Sequence, residues 1–153
     1  MLCLSASEQL MSAYALLHRL SPNHWPTWES TIVPDQNAEV WFRTGRRRAE
    51  NIHPGIPVVV LGTEGLGVVG YGETISGVKF RPDPDWRGAA PEYQKGYRKP
   101  DYRVCVSIRR VRVPLEKIRS RKSISRLHRT ARETTTWLRS DQYHELMLLV
   151  HKA

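Results

Sequence analysis

The chain has 153 residues, 40 % hydrophobic and 8 % aromatic, with a mean hydropathy of -0.50, which suits one compact domain burying roughly 70 % of its unfolded surface. No apolar run nears the roughly 18 residues of a membrane span, and Met1-Leu2-Cys3-Leu4 lacks a signal peptide's basic start and long apolar stretch, so a soluble cytoplasmic protein is expected. The net charge of +9 and a pI near 10.0 favour a polyanionic partner, while Cys3 and Cys105 form neither a disulfide framework nor a zinc pattern, so no metal or other cofactor is expected.

Ser5 followed by Glu8 reads as a capping box, and Leu10, Tyr14 and Leu17 share one helical face, which predicts a helix over residues 1–20. From Asn23 to Asn37 the prolines and Trp25 and Trp28 give no sustained period; these two tryptophans read as packing in an ordered connection. Ala38 to Arg43 reads as a short strand and Arg43 to Asn51 as a polar, basic loop. His53-Pro54-Gly55 is a turn signal before Ile56 to Leu61, an apolar run with the look of a strand buried on both faces. Leu66 to Ile75 is its partner, where Gly67, Gly70 and Gly72 point to a bulge or a close backbone approach.

Ser76 to Asp101 reads as a long insertion carrying Trp86, Tyr93 and Tyr97 among prolines, glycines and cations. Tyr102, Val104, Val106 and Ile108 alternate as a strand whose phase slips at Arg109-Arg110 and resumes at Val111 and Val113, the signature of a bulge. Lys95 to Arg132 holds 14 Lys and Arg against Asp101 and Glu116, so the remainder of the chain is net negative and the positive charge is a patch. A solvated face is the bland reading and nucleic acid the sharper one; a membrane surface fits less well, because Arg119 to Arg132 lacks the Trp/Phe/Leu face of an interfacial helix. Pro114 to Ile118 predicts one helical turn, Arg119 to Thr136 an irregular basic segment with Trp137 read as core, and Ser140 the cap of a last helix with Tyr143, Leu146, Met147 and Val150 inward. The order of elements predicts one α+β domain over residues 1–153, a small curved mixed sheet or open β-barrel flanked by helices.

Six segments in order resemble the EVE-type branch of the PUA-like superfamily, relatives of the YTH domains and of the readers fused to HNH or Mcr-type modification-dependent nucleases. They are Ser21-Pro22-Asn23-His24-Trp25, Trp41-Phe42-Arg43-Thr44-Gly45, Asn51-Ile52-His53-Pro54-Gly55-Ile56, Gly67 to Thr74, Asp85-Trp86, and Arg103 to Pro114. They span residues 21–118, leaving 1–20 as an added helix and 119–153 as the basic segment with the closing helix; Ile56 stands where the family often has Asp. The resemblance implies a non-catalytic module recognising a modified base, a flipped modified cytosine in DNA being favoured, with a nuclease as a partner. An RNA-binding PUA-like module gripping structured or modified RNA is the alternative.

By that resemblance Trp41 and Trp86 are the stacking faces, Thr44 and the backbone at Gly45 meet the base edge, and Arg43, Arg46, Arg47 and Arg48 clamp phosphates. Lys95, Arg98 and Lys99, interleaved with Tyr93 and Tyr97, extend the backbone contacts. Extruding a base takes a few kcal/mol and each aromatic face returns about 1–3 kcal/mol, so two indoles would suffice. Trp41, in an apolar strand, also fits a plain core position. Catalysis has little support: the six histidines make no H-x-x-x-H pair, Pro82-Asp83 with Glu92 to Lys95 misses nuclease spacing by one residue, and no glycine-rich phosphate loop precedes a helix. No catalytic residue or metal ligand is assigned.

Overall fold

The computed structural model describes residues 13–20, 36–44, 51–62, 65–80, 102–127 and 134–152. They form a six-stranded mixed sheet with two helices. The strands are β1 (Ala13–Leu20), β2 (Asn37–Thr44), β3 (Pro57–Gly62), β4 (Gly67–Phe80), β5 (Tyr102–Val113) and β6 (Thr134–Arg139); the helices are α1 (Leu115–Arg119) and α2 (Ser140–Lys152). The sheet order is β2-β5-β4-β3-β1-β6, with β1 parallel to β3 and every other neighbouring pair antiparallel.

The sheet has two dry faces. On one, Leu16, Leu20, Val40, Phe42, Val58, Val60 and Val104 meet in a single cluster, although β1 and β2 stand three strands apart in the sheet. Only a strongly curled sheet lets them touch, and the His18 and Phe42 rings confirm it by stacking with centroids 3.9 Å apart and planes 6° from parallel. The curl stops short of a closed barrel: among the described residues β2 and β6 form no hydrogen-bonded ladder with each other. On the other face Leu17, Val59, Leu61 and Leu138 pack under α1 and α2 through Ile118, Leu146 and Val150. Strand β3 is therefore covered on both sides, as its unbroken Val58 to Leu61 run requires.

The helix expected over residues 1–20 is not what residues 13–20 form; they make β1, while residues 1–12 lie outside the described residues. Tyr14 and Leu17 do share a helical face, but Leu16 and Leu20 feed one core and Ala15 and Leu17 the other, the period-2 division of a doubly buried strand. Pairing from Leu16–Val58 to Leu20–Gly62 overrides the local signal. Thr134 to Thr136, read as the end of an irregular segment, instead open the edge strand β6, to which these β-branched residues are suited. The insertion starts later than expected, since β4 continues to Phe80.

Glycines and bulges shape the strands where the sequence indicates. Val68 pairs with Val113 but Gly70 with Arg110, so β5 carries an extra residue just after Arg109-Arg110. A second slip lies between Thr74 and Val78, where the Ser76 hydroxyl oxygen accepts the Cys105 N–H at 3.1 Å. No helix among the described residues is long and apolar enough to cross a membrane.

Cys105 is buried on β5, and its thiol is pushed up to about 11 by burial first and by the charge of Glu39 second, with a hydrogen bond from the Val106 backbone opposing. The folded state therefore holds this proton more tightly than the unfolded chain. Its contribution to stability is complete below about pH 9 and is lost as pH rises towards 11. In a Cys3→Ser background, alkylation of Cys105 by iodoacetamide at pH 8 should run about 100-fold slower in the folded protein than in urea, on thiolate fraction alone. Equal rates, followed by mass spectrometry, would contradict the burial of the thiol.

Candidate nucleic-acid interface

The turn entering β3 is fixed by one threonine. Gly55 takes a positive φ of 91°, its N–H donates to the Thr74 carbonyl at 2.8 Å, and the Thr74 N–H donates to the Ile56 carbonyl at 2.9 Å. The buried Thr74 hydroxyl accepts the Ile56 N–H at 2.9 Å and donates to the His53 carbonyl at 2.7 Å. Four hydrogen bonds thus hold residues 53–56, and with them the side chains just before the turn.

Beside this turn lies a cleft of about 400 Å³, walled by Tyr14, Asn51, His53, Ile56, Pro57 and Trp137. Trp137, paired with Leu16, rests partly buried on the core, so its ring is anchored before any ligand arrives. Tyr14 sits at the register slip between Ala13 and Ala15, is 39 % exposed, and lies 5.5 Å from the Tyr143 ring and 5.7 Å from that of His144. Burial pushes the Tyr143 hydroxyl up, with Tyr14 and Tyr71 adding to the shift. His53 Nδ1 lies 3.0 Å from the Pro54 carbonyl, which can only accept, so Nδ1 carries the proton and Nε2 of the neutral ring is left as an acceptor.

A second cleft, of about 500 Å³, opens where residues 120–127 meet the corner between β6 and α2; Lys122, Ser123, Arg126, Arg139 and Gln142 line it. The basic segment is fastened here. Ile124 is fully buried, Arg19 donates from Nε to the Leu127 carbonyl at 2.9 Å, and Gln142 Nε2 donates to the Ser123 carbonyl at 3.2 Å. Arg121 meets Glu145 at 3.0 Å. Arg139 meets Asp141 at 3.0 and 3.2 Å; this hydrogen bonding raises the guanidinium and lowers the carboxyl from their ordinary values. Such an exposed pair adds little stability and leaves Arg139 able to exchange partners. Lys117, Arg119, Lys122 and Arg126 are all exposed along this stretch. Not every cation of the basic region faces solvent, however, for Arg103 is buried within β5.

Of the site residues expected from sequence, Trp41, Arg43 and Thr44 are placed by backbone alone, paired on β2 with Cys105, Arg103 and Tyr102. Gly45, Arg46, Arg47, Arg48, Trp86, Lys95, Arg98 and Lys99 lie outside the described residues. Tyr14, Asn51, His53 and Trp137 were not expected at a site. Trp137, read as core, does pack on the core and also forms a cleft wall. Asn51 and His53 flank a turn legible in sequence, whereas nothing local announces that β6 brings an indole to it. The chain matches no protein-family model, no curated protein and no solved structure.

Proposed function

We propose that this chain is a PUA-like, EVE-type module without catalytic activity that binds nucleic acid and reads one extruded base, a modified cytosine in DNA, between Trp41 and Trp86. The observation that carries the nucleic-acid reading is the fastened basic corner: Lys117, Lys122, Arg126 and Arg139 are exposed on a segment anchored by Ile124 and Arg19. Cations on a fixed frame form a phosphate-binding surface that is organised before contact. The curled, unclosed sheet and the ordered series of family-like segments support the finer part. In this reading a separate nuclease supplies any cleavage.

The test is binding of matched single- and double-stranded DNA and RNA oligonucleotides, with and without cytosine or adenine methylation, at two salt concentrations. A preference for the methylcytosine duplex is expected. Trp41→Ala and Trp86→Ala should each remove that preference, worth about 1–3 kcal/mol per stacked ring, while the proteins remain folded by circular dichroism. Unfolding of both variants would make the two indoles core, and equal binding of every oligonucleotide would reduce the module to a phosphate anchor.

A further inference from the structure

The cleft between Tyr14 and Trp137 is separate from the residues assigned to base reading, and its chemistry is specific. One wall is an indole already seated on the core, and the phenol of Tyr14, on the neighbouring strand β1, adds a second ring. Asn51, exposed, offers two donors and an acceptor, and His53, with Nδ1 engaged by the Pro54 carbonyl, presents Nε2. Rings that stack with convergent groups that pair along an edge are what a planar, edge-functionalised heterocycle requires.

Position adds a second argument. Trp137 and Arg139 stand two residues apart on β6, about 7 Å along the strand at the usual rise, Trp137 packed on the core face opposite Leu138 and Arg139 turned towards Asp141 at the start of α2. Arg139 lines the basic cleft. Strand β6 thus carries a ring that lines one cleft and, two residues on, a guanidinium that lines the other. The Thr74-clamped turn keeps Asn51 and His53 in place on the other side.

We infer that this cleft is a second nucleotide site, taking the base of an unpaired nucleotide against Trp137 with its edge on Asn51 and His53 and its phosphate towards Arg139. The site rests on the nucleic-acid reading above and extends it: the strand displaced or splayed around the extruded base is held here.

Titration of the full chain with 5′-AMP and 5′-CMP, watched by the indole N–H and backbone amide resonances, tests it, with ribose 5-phosphate as the ligand lacking a base. The Trp137 resonance is assigned by its loss in Trp137→Leu. Both nucleotides should shift Trp137 and the amides of residues 51–53 saturably, whereas ribose 5-phosphate should move only signals around Arg139. Trp137→Leu should weaken 5′-AMP about tenfold and Asn51→Ala, which alters an exposed side chain and spares the core, about threefold or more. Equal shifts of Trp137 by ribose 5-phosphate, or unchanged 5′-AMP affinity in Asn51→Ala, overturn the inference. If oligonucleotides bind the wild type and both variants identically, the cleft proposal falls and the base-reading proposal stands. If no oligonucleotide binds while 5′-AMP still shifts Trp137, the nucleic-acid reading falls and the cleft is left as a site for free mononucleotides.

Discussion

Gly72→Ala is expected to lower the melting temperature by roughly 6–12 °C or more. Gly72 lies in the middle of β4, paired with Val58 on one side and Ile108 on the other. A Cβ built there would stand 1.7 Å from the Ser107 carbonyl oxygen and 2.8 Å from its carbon. These are backbone atoms of a hydrogen-bonded neighbour, so no side chain can rotate away; β4 and β5 must separate. Overpacking a well-fitted interior costs about 1–3 kcal/mol, and the top of that range is the floor here because the central ladder itself is disturbed. Gly77→Ala is the control, since its nearest contact would be the Ile52 carbonyl oxygen at an ordinary 3.8 Å. Thermal unfolding of the two variants side by side makes the comparison. A Gly72→Ala protein as stable as Gly77→Ala would mean that the two strands do not approach as described.

The same glycine shows what the sequence discloses. A strand with glycines at 67, 70 and 72 has few uses for them except bulges and close approach, and here it has both: a register slip between Val68 and Gly70, and backbone contact at Gly67 and Gly72. An unbroken Val-Val-Val-Leu run between a proline turn and a glycine could hardly be anything but a doubly covered strand. The alternation from Tyr102 to Ile108 and the start of the last helix at Ser140 were equally local signals. What failed was non-local. Strand β1 depends on a parallel partner some 40 residues away, and no periodicity within Ala13–Leu20 reveals β3. Strand β6 depends on β1, at the far end of the chain, and its Thr134-Thr135-Thr136 start disguises an edge strand as a polar linker. The Tyr14–Trp137 cleft inherits both difficulties, because it needs β1, the turn before β3 and β6 together. Charge behaved in the same way: the basic patch was legible as a total, but which cations face solvent follows from alternation and packing, and Arg19 and Arg103 are buried.

Reversing three charges of the basic corner, Lys117→Glu with Lys122→Glu and Arg126→Glu, should weaken binding to every oligonucleotide on the order of 100-fold at physiological salt, without changing the ratio between modified and unmodified sequences. Each phosphate neutralised on a duplex releases about 0.9 counterion, so the loss of three contacts should flatten the logarithmic salt dependence by roughly 2.7. The ratio is preserved because phosphate contacts position the strand and carry no information about the base. Stability should barely change: these side chains are exposed, and exposed charges contribute little to folding. Ile124→Ala gives the opposite result from within the same segment, since deleting a fully buried aliphatic side chain costs about 2–5 kcal/mol and would free the segment from its seat beneath α2. Fluorescence anisotropy across a salt series separates the two cases. If the triple reversal leaves the slope intact, phosphates are held elsewhere on the molecule and the corner at β6 and α2 is not the anchor; if it also abolishes discrimination at low salt, the corner touches the base itself.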